Sequence, residues 1–536
     1  MDPVTRRTLL NLTLAVGTAA AFPAMVGAHA HRGSARPDPT VHTSNGPVRG
    51  KSEDGVLAFR GLRYAAPPTG SLRFKPPRKP TPWKEVADAG HFGAAAIQAP
   101  GQPDMPASEQ HSEDCLFLNV WTSSLQGKRP VMVWLHGGAF SMGAPGRPTY
   151  FGDHFARDGV VLVSVTHRLN VFGYTQLPQS WGPEYASSGV AGMLDIVAAL
   201  HWVQESIARF GGDASNVTIF GESGGGAKVS LLLAMPAAKG LYHKAIIQSG
   251  AALEAASHEY AEALGGALLD SLGVAAGDTA ALAALDTTRI FAAQEGAIAK
   301  VSSLVPPGGF LNSGFVPSLN PHDLPQGPFS PSAPAMSAHV PLLMGTNKDE
   351  ATLFMSGDKS FLRRTDADFE AAVAKAFPAK AQVIAAAIRK AYPDYSPPYL
   401  LASVTTAQWF WLNSIVLAER KVAQNAAPVY MYRMDWGSPI HDGALKAAHA
   451  MELSFVFGTY DNIRDFVGPG PGPERMASQM HPAWIAFAKS GNPNTRILPH
   501  WPPYDTTSRA TMIFNIHSRV ENDPLADLRR LMLQEA

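Results

Sequence analysis

The chain has 536 residues, of which 46% are hydrophobic and 16% are charged, enough apolar material for a deep core and a lined pocket. Lysine plus arginine and aspartate plus glutamate both number 44, so no net charge draws the protein to nucleic acid. The sequence contains no internal repeat, no long run of charge and no HExxH or CxxC motif, which argues against repeat proteins and common zinc sites.

The first 30 residues have the composition of an export signal. Thr5-Arg6-Arg7-Thr8-Leu9-Leu10 resembles a twin-arginine motif, and a moderately apolar stretch from Leu12 to Gly27 follows it. Ala28-His29-Ala30 then supplies an A-x-A cleavage site. An uncleaved membrane anchor is the alternative, but the stretch is short and Pro23 interrupts it.

These features divide the chain into three parts. We predict a cleaved signal peptide at 1–30, a flexible mature N-terminus at 31–40 and a single domain at 41–536. We expect no later segment to be long and apolar enough to span a membrane, and we expect a bacterial protein that is periplasmic or secreted. The single cysteine, Cys115, cannot form an internal disulfide, which suits export of a protein folded in the reducing cytoplasm.

Strand and helix patterns alternate along the domain. Short apolar, β-branched runs predict buried strands, and longer segments predict helices. This alternation indicates an α/β fold with a large, mostly parallel sheet, helices on both faces and proline-rich loops at 305–308 and 321–334 over the sheet end. The predicted strands are 131–135, 160–165, 216–220, 243–247, 340–345 and 429–433, and the predicted helices lie at 193–210, 257–300 and 366–392.

A run of small residues follows the first of these strands. It reads His136-Gly137-Gly138-Ala139-Phe140. Small residues let backbone N–H groups approach a substrate oxygen closely, so this run is a candidate oxyanion hole. A plain glycine-rich turn is the alternative, but the run precedes the next motif in the order expected of an oxyanion hole.

That next motif, Gly221-Glu222-Ser223-Gly224-Gly225, predicts a nucleophile elbow. A buried strand precedes it and a helical segment follows at 227–233. Glycines on both sides of Ser223 let the chain reverse sharply, which exposes the hydroxyl with a helix N-terminus behind it. A bare G-x-S-x-G occurs by chance, whereas one framed by strand and helix is far more specific.

A serine hydroxyl is a weak nucleophile, so the elbow requires a base and an acid that orients the base. In folds of this type they follow the serine in the order acid, then histidine. The polar loop at 346–350 contains candidate carboxylates. Several later histidines have enough chain behind them to be the base, and the pattern alone does not choose among them: His441, His449, His481, His500 and His517.

Motifs along nearly the whole mature chain resemble those of the type-B carboxylesterases, the α/β-hydrolase family that includes cholinesterases and bacterial para-nitrobenzyl esterases. The resemblance implies the α/β-hydrolase fold and, together, these motifs are highly specific. They lie at 59–65, 112–120, 136–140, 210–213, 220–225, 347–350, 449–458 and 487–494.

The resemblance also implies residue roles. Ser223 matches the family nucleophile, Glu350 the triad acid and His449 the base. The family's three oxyanion-hole donors match Gly138, Ala139 and Gly224.

Some neighbouring positions qualify this match. The family usually has a third glycine at Ala139, and the added methyl group predicts a slightly tighter hole. We expect Asp349 to be a solvated loop acid or helix cap, and Glu222 either to tune His449 or to anchor buried waters and loops. Two further matches predict buried ion pairs that hold loops in register: Arg73 with Glu113, and Arg168 with Asp195.

The implied function is a serine carboxylesterase that hydrolyses small-molecule esters through an acyl-enzyme and needs no cofactor or metal. A carbamate or amide hydrolase with the same triad is one alternative. A non-catalytic adhesion protein is another, but such proteins typically lack a triad member. Cholinesterases have a tryptophan in the interval that corresponds to 97–112, which here contains no tryptophan, tyrosine or phenylalanine, so neutral esters are expected to be preferred over choline esters.

Overall fold

A computed structural model describes residues 37–100, 110–304 and 314–533, so the predicted signal peptide at 1–30 and the stretch at 305–308 lie outside the described residues. The strands are β1 (Thr40–His42), β2 (Pro47–Arg49), β3 (Lys51–Glu53), β4 (Val56–Arg63), β5 (Ala87–Asp88), β6 (Phe117–Thr122), β7 (Arg129–Leu135), β8 (Val161–Val165), β9 (Gly212–Glu222), β10 (Lys244–Gln248), β11 (Leu342–Asn347), β12 (Val429–Met434), β13 (Ala510–Phe514) and β14 (Arg519–Asn522).

The α-helices are α1 (Asp153–Arg157), α2 (Asn170–Tyr174), α3 (Ala191–Ser206), α4 (Gly224–Leu232), α5 (His258–Leu272), α6 (Thr279–Ala284), α7 (Thr287–Lys300), α8 (Ala351–Met355), α9 (Asp366–Ala376), α10 (Ala381–Ala391), α11 (Pro397–Thr406), α12 (Leu412–Val422), α13 (Ile440–Gly443), α14 (Leu453–Phe457), α15 (Arg464–Val467), α16 (Gly472–Ser490) and α17 (Ala526–Leu533). A π-helical turn, Ala407–Trp411, joins α11 to α12.

Eleven strands form one mixed sheet in the order β14-β13-β12-β11-β10-β9-β7-β8-β6-β4-β3. The strands from β8 to β13 along this order pair in parallel, while β14 and the strands β6, β4 and β3 pair antiparallel at the two edges. A small sheet of β1, β2 and β5 lies apart from it. The predicted α/β-hydrolase architecture is therefore confirmed.

Both faces of the sheet are buried, as β7 shows. Val131, Val133 and Leu135 join the hydrophobic cluster on one face, and Met132 and Trp134 join the cluster on the other. Successive side chains of a strand point to opposite faces, so a strand covered on both sides must be apolar throughout. This is why the parallel strands were readable in the sequence as continuous apolar runs.

The long alanine-rich segments are each divided in the structure. The segment at 257–300 forms α5, α6 and α7, and the segment at 366–392 forms α9 and α10. Gly273 ends α5 with a φ of 65°, and the side chains of Asp278 and Asp286 accept hydrogen bonds from the first turns of α6 and α7. Caps rather than alanine content therefore decide where these helices begin and end.

The two predicted ion pairs are present. Arg73 binds Glu113 through two hydrogen bonds of 2.7 and 2.8 Å, and both side chains are buried. Arg168 binds Asp195 in the same two-pronged way, with its Nη2 2.6 Å from Oδ1. Such planar pairing fixes the loops that carry the arginines.

Two helical runs are long and apolar enough to cross a membrane by length and composition, contrary to the sequence-based expectation. They are Pro183–Phe210, whose most apolar stretch is 72% buried inside the protein, and Pro397–Val422, at 56%. A helix that is apolar on most sides is also what a large core requires. Their burial inside the protein accounts for their composition.

Candidate active site

Ser223 is the single residue between the end of β9 and the start of α4. Its φ of 56° and ψ of −124° lie in a region that non-glycine residues rarely adopt. Two backbone hydrogen bonds hold it there, from Ser223 N–H to Gln248 O at 2.8 Å and from Ala227 N–H to Ser223 O at 3.0 Å. The strand, strained turn and helix of the predicted elbow are all present.

Glu350 and His449 meet at the carboxyl end of β11. Glu350 Oε2 lies 2.6 Å from His449 Nδ1, and its Oε1 accepts the N–H of Asn347 at 2.7 Å. A carboxylate oxygen is an acceptor, so the neutral imidazole carries its proton on Nδ1 and leaves Nε2 free to accept one. Glu350 is fully buried and His449 is 4% exposed, which keeps this pair in a fixed orientation.

The second nitrogen of His449 faces the elbow. His449 Nε2 is 3.0 Å from Oε1 of Glu222, the residue before Ser223, but the two atoms do not meet at a hydrogen-bonding angle. Among the described residues, no hydrogen bond joins Ser223 Oγ to His449. Catalytic hydrogen bonds are often long in a free enzyme and tighten with substrate.

The other four candidate histidines do not reach this cluster. His481 is buried, but its ring nitrogens contact Val456 O at 2.6 Å and Asp158 Oδ2 at 3.0 Å. The remaining three, His441, His500 and His517, are exposed. Of the five candidate histidines that the sequence pattern did not distinguish, the fold places His449 beside Glu350.

Buried carboxylates control the charge around His449. Burial raises the pKa of Glu222, and burial also raises the pKa of Glu452 to about 7. Burial alone would lower the pKa of His449, but the nearby carboxylates of Glu222 and Glu350 outweigh it and raise that pKa. The carboxylates therefore stabilise the charged imidazolium, the form that a general base acquires when it takes a proton.

The candidate oxyanion hole is a tight turn after β7. Gly138 and Ala139 have φ values of 88° and 52°. A Cβ atom on Gly224 would lie 2.5 Å from Ala139 N, so the two segments touch through their backbones and glycine is required at that approach. In the described part of the chain, neither Gly138 nor Ala139 donates its N–H to a protein acceptor, and helix geometry leaves the N–H of Gly224 without an intrahelical partner.

Asp349 is buried, which corrects the expectation of a solvated loop acid. It is 6% exposed, and its carboxylate accepts the hydroxyl of Tyr395 at 2.6 Å and the N–H of Ala447 at 3.2 Å. Ala447 lies two residues before His449, so Asp349 anchors the loop that carries the histidine. No local pattern marks this role, because Tyr395 is 46 residues away along the chain.

Aromatic rings pack against the imidazole of His449. The ring centres of Phe354 and Phe410 lie 5.0 and 4.8 Å from that of His449, and Trp409 lies 5.9 Å from Phe354. The π-helical turn Ala407–Trp411 adds the extra residue that brings Phe410 inward. Phe410 is buried, while Trp409 is half-buried beside the site.

The chain matches the profile of the Carboxylesterase family over residues 37–528. It belongs to that family. The enzyme is therefore a carboxylic ester hydrolase of the α/β-hydrolase fold, as the sequence motifs predicted. Within the described ranges, no group of three or more histidine, cysteine, aspartate or glutamate side chains is placed to hold a metal ion.

Individual relatives agree with this assignment. The chain is 36% identical over 498 residues to the para-nitrobenzyl esterase of Bacillus subtilis, covering 91% of this chain and 97% of that one. It is 31% identical over 488 residues to the phenmedipham hydrolase of Pseudarthrobacter oxydans, with 89% and 94% covered. A solved Geobacillus stearothermophilus carboxylesterase superimposes with a TM-score of 0.79 at 36% identity, with 92% of this chain and 99% of that chain covered.

Proposed function

We propose that this carboxylesterase uses Ser223 as nucleophile, His449 as general base and Glu350 as the acid that orients the base. The observation that carries this proposal is the 2.6 Å contact of Glu350 with His449 Nδ1, which turns Nε2 toward the elbow. Glu350 fixes the tautomer and compensates the imidazolium charge, while the strained elbow presents the hydroxyl.

The reaction proceeds in two halves. Ser223 Oγ attacks the ester carbonyl carbon while His449 Nε2 takes the hydroxyl proton, and the tetrahedral intermediate collapses as His449 returns that proton to the leaving alcohol. A water molecule then attacks the acyl-enzyme, again losing its proton to His449. Collapse of the second intermediate returns the proton to Ser223 Oγ and releases the carboxylic acid.

The negative oxygen of each intermediate requires fixed donors. We assign this role to the backbone N–H groups of Gly138, Ala139 and Gly224, which the close approach of the two segments brings together. Donors held in place before the reaction stabilise the transition state without reorganisation.

Hydrolysis of p-nitrophenyl acetate and butyrate tests this assignment. Ser223→Ala should lower kcat by about 10⁴-fold or more, because the members of a triad act as a unit. Ser230→Ala is a matched control, since Ser230 is buried on α4 and its hydroxyl bonds to Gly226 O at 3.1 Å. Full activity in the Ser223 variant would overturn the mechanism.

The substrate class is proposed as neutral esters of short acids. The interval at 97–112 contains no tryptophan, tyrosine or phenylalanine that could hold a quaternary ammonium group, although 101–109 lie outside the described residues. The rate constant kcat/KM for 3,3-dimethylbutyl butyrate should exceed that for butyrylcholine. A clear preference for the choline ester would contradict this proposal.

A second candidate activity is hydrolysis of carbamates or amides by the same triad. Similarity to a protein named phenmedipham hydrolase is the reason to consider this second activity. A panel of matched ester, carbamate and amide p-nitrophenyl or p-nitroanilide substrates, together with phenmedipham, decides between them through relative kcat/KM.

We also propose export by the twin-arginine route to the periplasm or beyond. The support is the Thr5–Leu10 motif, the apolar stretch and the Ala28-His29-Ala30 site, all of which precede the described residues. Mass spectrometry of protein from the native host should show a mature chain that begins near His31. Export that continues after Arg6→Lys with Arg7→Lys would contradict the route.

A further inference from the structure

A lysine is buried directly behind the candidate oxyanion hole. Lys228 lies on α4, five residues after Ser223, and its side chain is fully shielded from solvent. Its Nζ donates to His136 O at 3.1 Å and to Ala139 O at 2.9 Å, and it lies 5.4 Å from the centre of the Phe140 ring. All three contacts belong to the turn that follows β7.

This is a costly position for a cation. Burial lowers the pKa of Lys228 to about 7, and the positive end of the α4 dipole lies close by. The described residues contain no carboxylate bonded to Lys228, so its hydrogen-bond partners are neutral carbonyl groups. A residue that costs this much to bury and binds only one turn is expected to serve that turn.

The turn itself needs support. Ala139 has a φ of 52°, which glycine adopts freely and alanine does not. The carbonyl that Lys228 binds belongs to Ala139, the same residue whose N–H is a proposed oxyanion donor. The other carbonyl belongs to His136, so the two bonds bracket Gly137 and Gly138 from both ends of the turn.

We propose that Lys228 is a positioning residue for the oxyanion hole, clamping the His136–Ala139 turn at both ends and holding Ala139 in its left-handed conformation. This inference rests on the proposed function, because it assumes that the N–H groups of Gly138 and Ala139 bind the oxyanion. Lys228 itself does not touch the substrate. It acts by keeping those donors aimed at the position where negative charge develops.

The first test is Lys228→Met, measured as kcat and KM for p-nitrophenyl butyrate per active site titrated with an organophosphate. Loss of one oxyanion donor costs about 10²- to 10³-fold in kcat, so misplacing donors should cost about 10- to 100-fold with little change in KM. Affinity for a trifluoromethyl ketone, which forms a tetrahedral oxyanion on the serine, should fall by a similar factor.

Lys421→Met is the matched control. Lys421 is also a buried lysine, but it lies on α12, and its Nζ donates to the backbone carbonyls of Ser337 and Ala338 at 2.7 and 2.8 Å, in the segment before β11. Its loss should lower the midpoint of thermal unfolding as the Lys228 change does, and leave kcat per titrated site unchanged. A general loss of stability is thereby separated from a loss of positioning.

The second test is a double-mutant cycle with Ala139→Gly. Glycine needs no help to hold a positive φ, so Lys228→Met should cost kcat at least about threefold less in the Ala139→Gly background than in the wild type. If the Lys228→Met variant does not fold, Lys228→Gln takes its place in both backgrounds, because its shorter amide cannot bridge both carbonyls.

The outcomes are distinct. A kcat per titrated site within about twofold of wild type, or an equal cost in both backgrounds, overturns the clamp while leaving the proposed triad intact. Activity that survives Ser223→Ala overturns the proposed function instead. A drop in kcat and ketone affinity that Ala139→Gly relieves supports both.

Discussion

The two halves of the site are held in different ways. Around His449, ionisable side chains do the holding, with Glu350 at 2.6 Å on one nitrogen and Glu222 at 3.0 Å from the other. Around Ala139, the turn is defined by its backbone, which has positive φ values and carbonyl groups bonded to Lys228. Changes in the first half should therefore mainly alter the pH dependence of the enzyme, and changes in the second should mainly alter transition-state binding.

The largest effect is expected at His449. His449→Ala should reduce kcat by about 10⁴-fold or more, because it removes the proposed proton acceptor for Ser223. His481→Ala is the control, since His481 is also buried beside a carboxylate but lies away from the elbow. Comparable losses from the two variants would contradict the assignment of the base.

The next effect is expected at Glu350. Glu350→Gln keeps the size of the side chain, but its amide favours the wrong tautomer of His449, so kcat should fall by about 10²- to 10⁴-fold. The midpoint of thermal unfolding should change much less than for a substitution that removes a buried side chain. A variant that keeps wild-type kcat would show that another acid orients the imidazole.

Glu222 should set the acid limb of the pH profile. An unperturbed histidine titrates near pH 6.5, which from sequence predicts loss of kcat/KM between about pH 5.5 and 7. The carboxylates raise the pKa of His449, so the loss on acidification should begin above that range. Glu222→Gln removes a carboxylate that, when ionised, stabilises the imidazolium, so it lowers this pKa and should move the limb to lower pH by about one unit.

The pH profile of kcat/KM from about pH 4 to 10 checks this prediction. Lys228→Met should move the limb less than Glu222→Gln does, while lowering kcat more, which is the contrast between the two halves. An acid limb that stays in place in Glu222→Gln would mean that Glu222 anchors structure rather than tunes the base.

The smallest effect on catalysis is expected at Asp349. Asp349→Asn leaves an amide facing either the Tyr395 hydroxyl or the Ala447 N–H, so it should reduce the free energy of unfolding by about 1–3 kcal/mol. Because the residue acts on the loop and not on the imidazole, kcat should fall by less than about tenfold. Chemical denaturation and initial rates together distinguish Asp349 from its neighbour Glu350. Replacing Glu350 should lower kcat strongly and change the free energy of unfolding little.

Much of the fold was predictable because parallel strands covered on both faces are apolar throughout. The breaks at Asp278 and Asp286 were not, since alanine-rich sequence predicts helix on both sides of them. The elbow was readable because Ser223 lies in a local strand–turn–helix pattern. The pattern alone did not show which histidine is the candidate base, and family resemblance was needed to choose His449 among five.

Two contacts between distant residues had no signal in the sequence. Asp349 contacts Tyr395, and Lys228 contacts Ala139, although the partners lie 46 and 89 residues apart along the chain. A buried lysine and a solvated lysine look alike in a sequence. The alanine at position 139, where the family usually has glycine, was visible in the sequence. The role proposed for Lys228 in supporting it was not.

The proposed mechanism requires Ser223 to be the nucleophile that His449 activates. Its most direct test is stoichiometric labelling with diisopropyl fluorophosphate, followed by intact mass and peptide mapping. This mechanism predicts one adduct per chain, on Ser223, with activity lost in proportion to labelling and no adduct in Ser223→Ala or His449→Ala on the same timescale. Rapid labelling of another serine, or full activity after Ser223 is labelled, would contradict it.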